Sequence, residues 1–115
     1  MAKYESHLNQ LFTALGDPTR RAILSRLARG PATVSELAEP HDMALPSFLG
    51  HLNKLEDAGL VMSVKQGRIR TCTLSQDAFR PAQDWLSEQQ ALWQGRLNRL
   101  DVYVATLMKD RKNEP

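Results

Sequence analysis

The sequence predicts a mainly α fold carrying one small β-hairpin and a long C-terminal helix. Three observations predict it. Apolar residues recur at helical spacing from residue 6 to residue 59, interrupted by Gly and Pro. Short runs rich in Val, Ile and Thr then flank Gln66-Gly67, and helical spacing returns from Pro81 onward. A chain of 115 residues is the usual size of one domain, and 42% hydrophobic with 24% charged residues is a globular balance. No apolar run approaches the roughly 20 residues of a membrane span, and Met-Ala-Lys-Tyr-Glu-Ser lacks the build of a signal peptide, so a cytoplasmic protein with no membrane partner is expected. The single cysteine, Cys72, excludes an internal disulfide and a CxxC…CxxC zinc site, and it fits a reducing compartment. With 15 Lys+Arg against 13 Asp+Glu, the net charge of +2 is uninformative, and charge placement must decide what the protein binds.

Ser6 is positioned to cap a first helix bearing Leu8, Leu11, Phe12 and Leu15, which Gly16 ends. Asp17-Pro18 starts a second helix, with Asp17 as N-cap and Pro18 where its missing N–H costs nothing. It buries Ile23, Leu24 and Leu27 and stops at Gly30-Pro31. Thr33 and Glu36 have capping-box spacing and open a short third helix, cut off by Pro40. A fourth helix with Pro46 in its first turn reaches Ala58, before Gly59. Leu60 to Lys65 and Arg68 to Leu74 read as a hairpin, Gly67 supplying a positive φ. After a connection at residues 75–80, Pro81 opens the longest helical pattern, to about Lys109, followed by a polar tail.

The fourth helix carries the functional signal. Leu45, Phe48, Leu49, Leu52 and Leu55 form one wide stripe expected to be buried. Pro46 opens the helix, and Ser47, Gly50, His51 and Lys54 fall on its other side, a compact face with hydrogen-bonding groups, one cation and no acid. Such a face fits the DNA major groove. A capped short helix, a tight turn and this amphipathic helix form a helix-turn-helix, which the hairpin extends to a winged helix-turn-helix. Lys65, Arg68 and Arg70 lie within six residues, and no acid occurs from Ala58 through Gln76, so all three are expected to contact phosphates beside the groove.

The stretch Leu11-Phe12-Thr13-Ala14-Leu15-Gly16-Asp17-Pro18-Thr19-Arg20-Arg21-Ala22-Ile23-Leu24 resembles the opening signature of ArsR-type winged-helix repressors. Leu45 through Leu52 and Leu55-Glu56 to Gly59-Leu60-Val61 are similar to their recognition helix and its exit. The resemblance spans about residues 8 to 107. It implies a homodimeric transcriptional regulator that binds a palindromic operator on double-stranded DNA, usually as a repressor released by a signal. Gly50 stands where many members carry a basic residue, and Leu49 where many carry Ser. The resemblance also directs attention to two metal sites, one on the helix before the recognition helix and one on the last helix. The first segment, Ser35 to Glu39, has no cysteine, and the last helix has no histidine. His7, His41 and His51 lie in different elements, so neither metal nor cofactor is expected. Cys72 remains as a candidate redox sensor against the plainer reading of a strand filler. Ser47 and His51 lack the third group and oxyanion site that nucleophilic catalysis needs, so no enzyme is expected.

Leu86, Trp93, Leu100 and Leu107 recur every seven residues, with Leu97 and Val104 between them. A helix of this length outruns a small domain, and its stripe calls for a second surface, most simply the same helix of another copy. The expected organisation is one domain over residues 1–115, with a DNA-binding core at 17–75, dimerisation helices at 1–15 and 81–109, and a tail at 110–115. The competing readings are a winged-helix protein-interaction module and a thiol-redox-responsive regulator using Cys72.

Overall fold

The structure is a computed structural model that describes residues 2–112, with side chains placed from Glu5 to Arg111. In chain order its elements are α1 (Ala2–Leu15), α2 (Pro18–Leu27), β1 (Ala32–Thr33), α3 (Val34–Ala38), α4 (Leu45–Asp57), β2 (Val61–Gln66), β3 (Ile69–Leu74), a 3-10 turn (Gln76–Phe79) and α5 (Arg80–Lys112). The chain forms two compact units, residues 1–82 and 83–115, the second being most of α5.

Local signals set most of these boundaries. The Asp17 carboxylate accepts the Arg20 backbone N–H at 3.0 Å, and Pro18 occupies the first helical position of α2. At α3 the capping box closes in both directions: Thr33 Oγ1 accepts the Glu36 N–H at 3.1 Å, and Glu36 Oε1 accepts the Thr33 N–H at 3.2 Å. Ser6, by contrast, lies inside α1 and does not cap it, because α1 is helical from Ala2. Ala2, Lys3 and Glu5 favour the helix, and nothing before Ser6 breaks it. At the other end α5 runs three residues beyond Lys109, into the expected tail, of which residues 113–115 lie outside the described residues.

The hairpin is present, its two-residue loop formed by Gly67 (φ +62°) and Arg68, the Gly-first order of a type II′ turn. A third strand joins it. β1 pairs with β3 through Ala32 opposite Cys72 and Thr33 opposite Thr71, so β3 is the central strand of an antiparallel sheet ordered β1-β3-β2. Two residues are too few to show a strand period, which is why β1 is invisible in the sequence. Val61, Ser63 and Lys65 pair with Leu74, Cys72 and Arg70 and share one face. The inner end of that face joins a core built from Leu8, Leu11 and Ala14 of α1, Ile23, Leu24 and Leu27 of α2, Leu37 of α3, and Phe48, Leu52 and Leu55 of α4.

One charged group lies within this unit's interior. Arg20 is only 7% exposed. Its Nε donates to the Ala14 carbonyl, which the end of α1 leaves open, and its Nη2 to the Thr13 carbonyl, which also accepts the Gly16 N–H; both bonds are 2.9 Å. Its Nη1 lies 3.0 Å from His51 Nδ1 on α4. A guanidinium only donates, so His51 Nδ1 is the acceptor. The Asp17 carboxylate stands 3.6 Å from the same nitrogen. One side chain thus joins α1, α2 and α4.

Replacing Arg20 with Met keeps much of the volume but strands the Ala14 carbonyl, leaves the Thr13 carbonyl with only the Gly16 N–H, and removes the link to α4. We expect a loss of about 3 kcal/mol, read as a lower urea midpoint at unchanged slope. Asp17 gives a pH signature. The hydrogen bond from the Arg20 backbone N–H holds its carboxyl below the ordinary range, with the nearby Arg20 guanidinium adding to the effect. A depressed folded-state pKa contributes stability above the unfolded value of about 3.9 and loses it as pH falls through the lower folded value. The stability difference between the parent and Asp17→Asn, measured by urea unfolding, is therefore expected to be constant near neutrality and to shrink below about pH 4.

Candidate nucleic-acid interface

α4 begins without a side-chain cap at Ala44, and Pro46 stands in its first turn. Phe48, Leu52 and Leu55 are buried, and Leu49 is half-buried against the core. The expected burial of Leu45 is corrected: its side chain is 55% exposed. A helical side chain leans toward the turn N-terminal to it, and Leu45, at the first helical position, has no such turn to cover. The signal for this was its position directly before Pro46.

On the outer side Pro46, Ser47, Gly50 and Lys54 are exposed. A Cβ added at Gly50 would meet nothing within 4 Å, so this part of the helix is open surface. His51 differs from its expected neighbours. It is half-buried, and its Nδ1 is taken up by Arg20, so only the remainder of the ring is available outward.

The wing also departs from the expectation of three unneutralised cations. Lys65 and Arg68 are exposed, and neither has an ion-pair partner among the described residues. Arg70 is paired. Its Nη2 donates to Glu56 Oε1, its Nε donates to Ser63 Oγ at 3.0 Å, and Ser63 Oγ donates to Glu56 Oε1 at 2.8 Å. The acid-free stretch from Ala58 to Gln76 holds in sequence, but Glu56 sits in the last turn of α4, which β2 packs against. The shared face of Ser63 and Arg70 was the available clue.

Cys72 lies at the centre of β3 with no exposed surface. Burial pushes its thiol pKa up, and the lowering effect of Arg70 is the smaller one. A raised thiol pKa keeps the sulfur protonated and unreactive, which suits a core filler.

In the second unit, Leu86, Trp93, Leu100, Val104 and Leu107 are exposed and Leu97 is half-buried; Trp93 is 59% and Leu100 55% accessible. The Arg96 guanidinium stands 6.0 Å from the Trp93 ring. The 33 residues of α5 extend about 50 Å. Among the described residues no three His, Cys, Asp or Glu side chains gather where they could hold a metal ion, and no helix is long and apolar enough to cross a membrane.

Known proteins share this arrangement. The helix-turn-helix domain family matches residues 15–64. Transcriptional repressor SdpR of Bacillus subtilis is 32% identical over 79 residues, covering 69% of this chain and 88% of its own. HTH-type transcriptional regulator Rv2034 of Mycobacterium tuberculosis is 40% identical over 74 residues, 64% of this chain and 68% of its own. Among solved structures, the ArsR family transcriptional regulator RHA00566 superposes with a TM-score of 0.77 at 58% identity, covering 82% of this chain and 97% of that one. The homodimeric winged helix-turn-helix DNA-binding domain of Mb0332 from Mycobacterium bovis superposes with a TM-score of 0.62 at 25% identity, covering 79% and 86%.

The two wing arginines are expected to separate by stability. Arg70→Ala breaks the half-buried Glu56–Ser63 network, at a cost of about 1–2 kcal/mol. Arg68→Ala stays within about 0.5 kcal/mol of the parent, both read from urea midpoints.

Proposed function

The chain belongs to the ArsR family of transcriptional regulators, and we propose that it acts in the cytoplasm as a homodimeric repressor that binds a palindromic operator. α4 enters the major groove, and the β2–β3 wing rests on the flanking phosphates. The observation that carries this reading is the outer side of α4, where Pro46, Ser47, Gly50 and Lys54 are exposed without an acid among them, beside two wing cations that have no ion-pair partner among the described residues. Ser47 and the open surface at Gly50 meet base edges, and Lys54, Lys65 and Arg68 meet phosphates. Arg70 acts indirectly, by tying the wing to α4 through Glu56. His51 helps seat α4 on α2, its other ring atoms turned to the duplex.

Dimerisation follows from α5. A stripe with Trp93, Leu100, Val104 and Leu107 exposed is supported as a self-association surface by its hydrophobicity, at about 25 cal/mol per Å² buried, and by the homodimeric state of the Mb0332 domain. Two copies then present two recognition helices to successive major grooves, about 34–36 Å apart. The interaction-module reading leaves the exposed wing cations Lys65 and Arg68 without a purpose. The thiol-redox reading requires a reactive Cys72, which its burial opposes. Regulation of this kind needs no catalytic residue or cofactor.

Fluorescence anisotropy on the protein's own upstream DNA, against random competitor duplex, tests the whole reading: preferential binding supports it, and equal affinity for both refutes it. Arg68→Ala should lower the slope of log K against log salt by about 0.9 for each phosphate that Arg68 neutralises, about two phosphates per dimer, while weakening all duplexes alike. An unchanged slope removes Arg68 from the phosphate-binding set. The double variant Trp93→Glu, Leu100→Glu should sediment as a monomer with an intact fold and bind the operator more weakly. Retained dimers would show that α5 is not the assembly surface.

A further inference from the structure

Between the start of α4 and the wing runs an open groove whose lining includes Leu45, Leu49, Ile69, Lys65, Arg68 and Arg70. Its remaining lining residues are Thr, Val and Ser, and none of the lining carries a carboxylate. The lining thus combines exposed apolar side chains with three cations, of which Arg70 is paired with Glu56 while Lys65 and Arg68 have no ion-pair partner among the described residues. Leu45 and Ile69, exposed at 55% and 59%, line the same groove from α4 and from the wing. The wing cations beside them select a polyanion, and the exposed aliphatic side chains select one that offers apolar groups at the same place. Duplex DNA meets both conditions. Its phosphates surround a major groove in which the thymine C5-methyl is the one apolar group on the base edges.

The hydrogen-bonding inventory of the helix start points the same way. From Leu45 to Gly50 the chain reads Leu-Pro-Ser-Phe-Leu-Gly, and Ser47 holds the only side chain there that can make a hydrogen bond. The bidentate pairings that recognise guanine through Arg or Lys, and adenine through Asn or Gln, are absent from the turn that enters the groove first. Gly50 adds no side chain, and the space above it is empty, so bases can approach the backbone closely. Leu45 is the large side chain left exposed at this end of the helix.

We infer that Leu45 is a specificity-determining residue that reads thymine C5-methyl groups in each half-site. The inference rests on the operator-binding reading above and adds what the first turn of α4 recognises. Ile69, across the groove on the wing, walls the methyl in from the other side.

The test deletes one methyl at a time. A duplex is first selected from random sequence by the parent protein, and each of its thymines is then replaced by deoxyuridine, which removes the C5-methyl and keeps the pairing. Parent affinity should fall about fourfold for a contacted methyl, the equivalent of one buried CH₂. Leu45→Ala, at an exposed position that leaves the melting temperature unchanged, should bind the thymine duplex about as weakly as the parent binds the deoxyuridine duplex and should be nearly indifferent to the replacement. If every deoxyuridine duplex binds the parent as well as its thymine counterpart, the inference is overturned and operator binding stands. Should Leu45→Ala keep the full penalty, the methyl is read by another side chain and the assignment to Leu45 fails. A parent that selects no sequence at all overturns both this inference and the operator reading.

Discussion

A single buried guanidinium sets the position of the helix on which the function depends. Arg20 donates to two carbonyls at the end of α1, one of them without another donor, and reaches α4 through His51 with a third bond. Removing a cation from water is costly, and the interior tolerates it only where its donors are matched. Here each hydrogen bond lies at 2.9 or 3.0 Å, and the Asp17 carboxylate supplies a nearby counter-charge. The geometry that satisfies Arg20 is also the geometry that holds α1, the start of α2 and α4 together. Leu52 and Leu55 can then pack fully while Ser47, Gly50 and Lys54 remain outside.

The other end of α4 is tied to the wing. Glu56 accepts from Arg70 and from Ser63, so the last turn of the helix and the facing residues of β2 and β3 share one polar network. β1 closes the far edge of β3 and makes it a central strand. These interactions explain two features at once. Cys72, between Ala32 and Ser63 in the sheet, has no route to solvent, and Arg70 is spent on structure, leaving Lys65 and Arg68 to face outward. α4 and the wing cations are thereby held in a fixed relation, which is what the proposed reading of a groove and its phosphates together requires.

α5 obeys a different constraint. Large apolar residues recur along its second half in the open. A helix of this length gains most of its stability from packing, not from propensity alone. Self-association through that stripe, as proposed above, would link two recognition helices and double the sequence that can be read.

Much of this was legible without coordinates. The caps at Asp17 and Thr33, the stops at Gly16, Gly30 and Gly59, the turn at Gly67 and the seven-residue recurrence in α5 are local signals, acting over at most a few turns of chain, and local chemistry decides them. The family resemblance was carried by contiguous residues for the same reason. Tertiary structure alone decided which polar groups were already spoken for. Glu56 reaches Arg70 across 14 positions and Arg20 reaches His51 across 31, distances over which periodicity and spacing carry no information. It also decided that Leu45 stands in the open and that Ala32-Thr33 joins a sheet, because exposure and pairing depend on what the rest of the chain brings alongside, and a one-dimensional pattern records only what a residue could do.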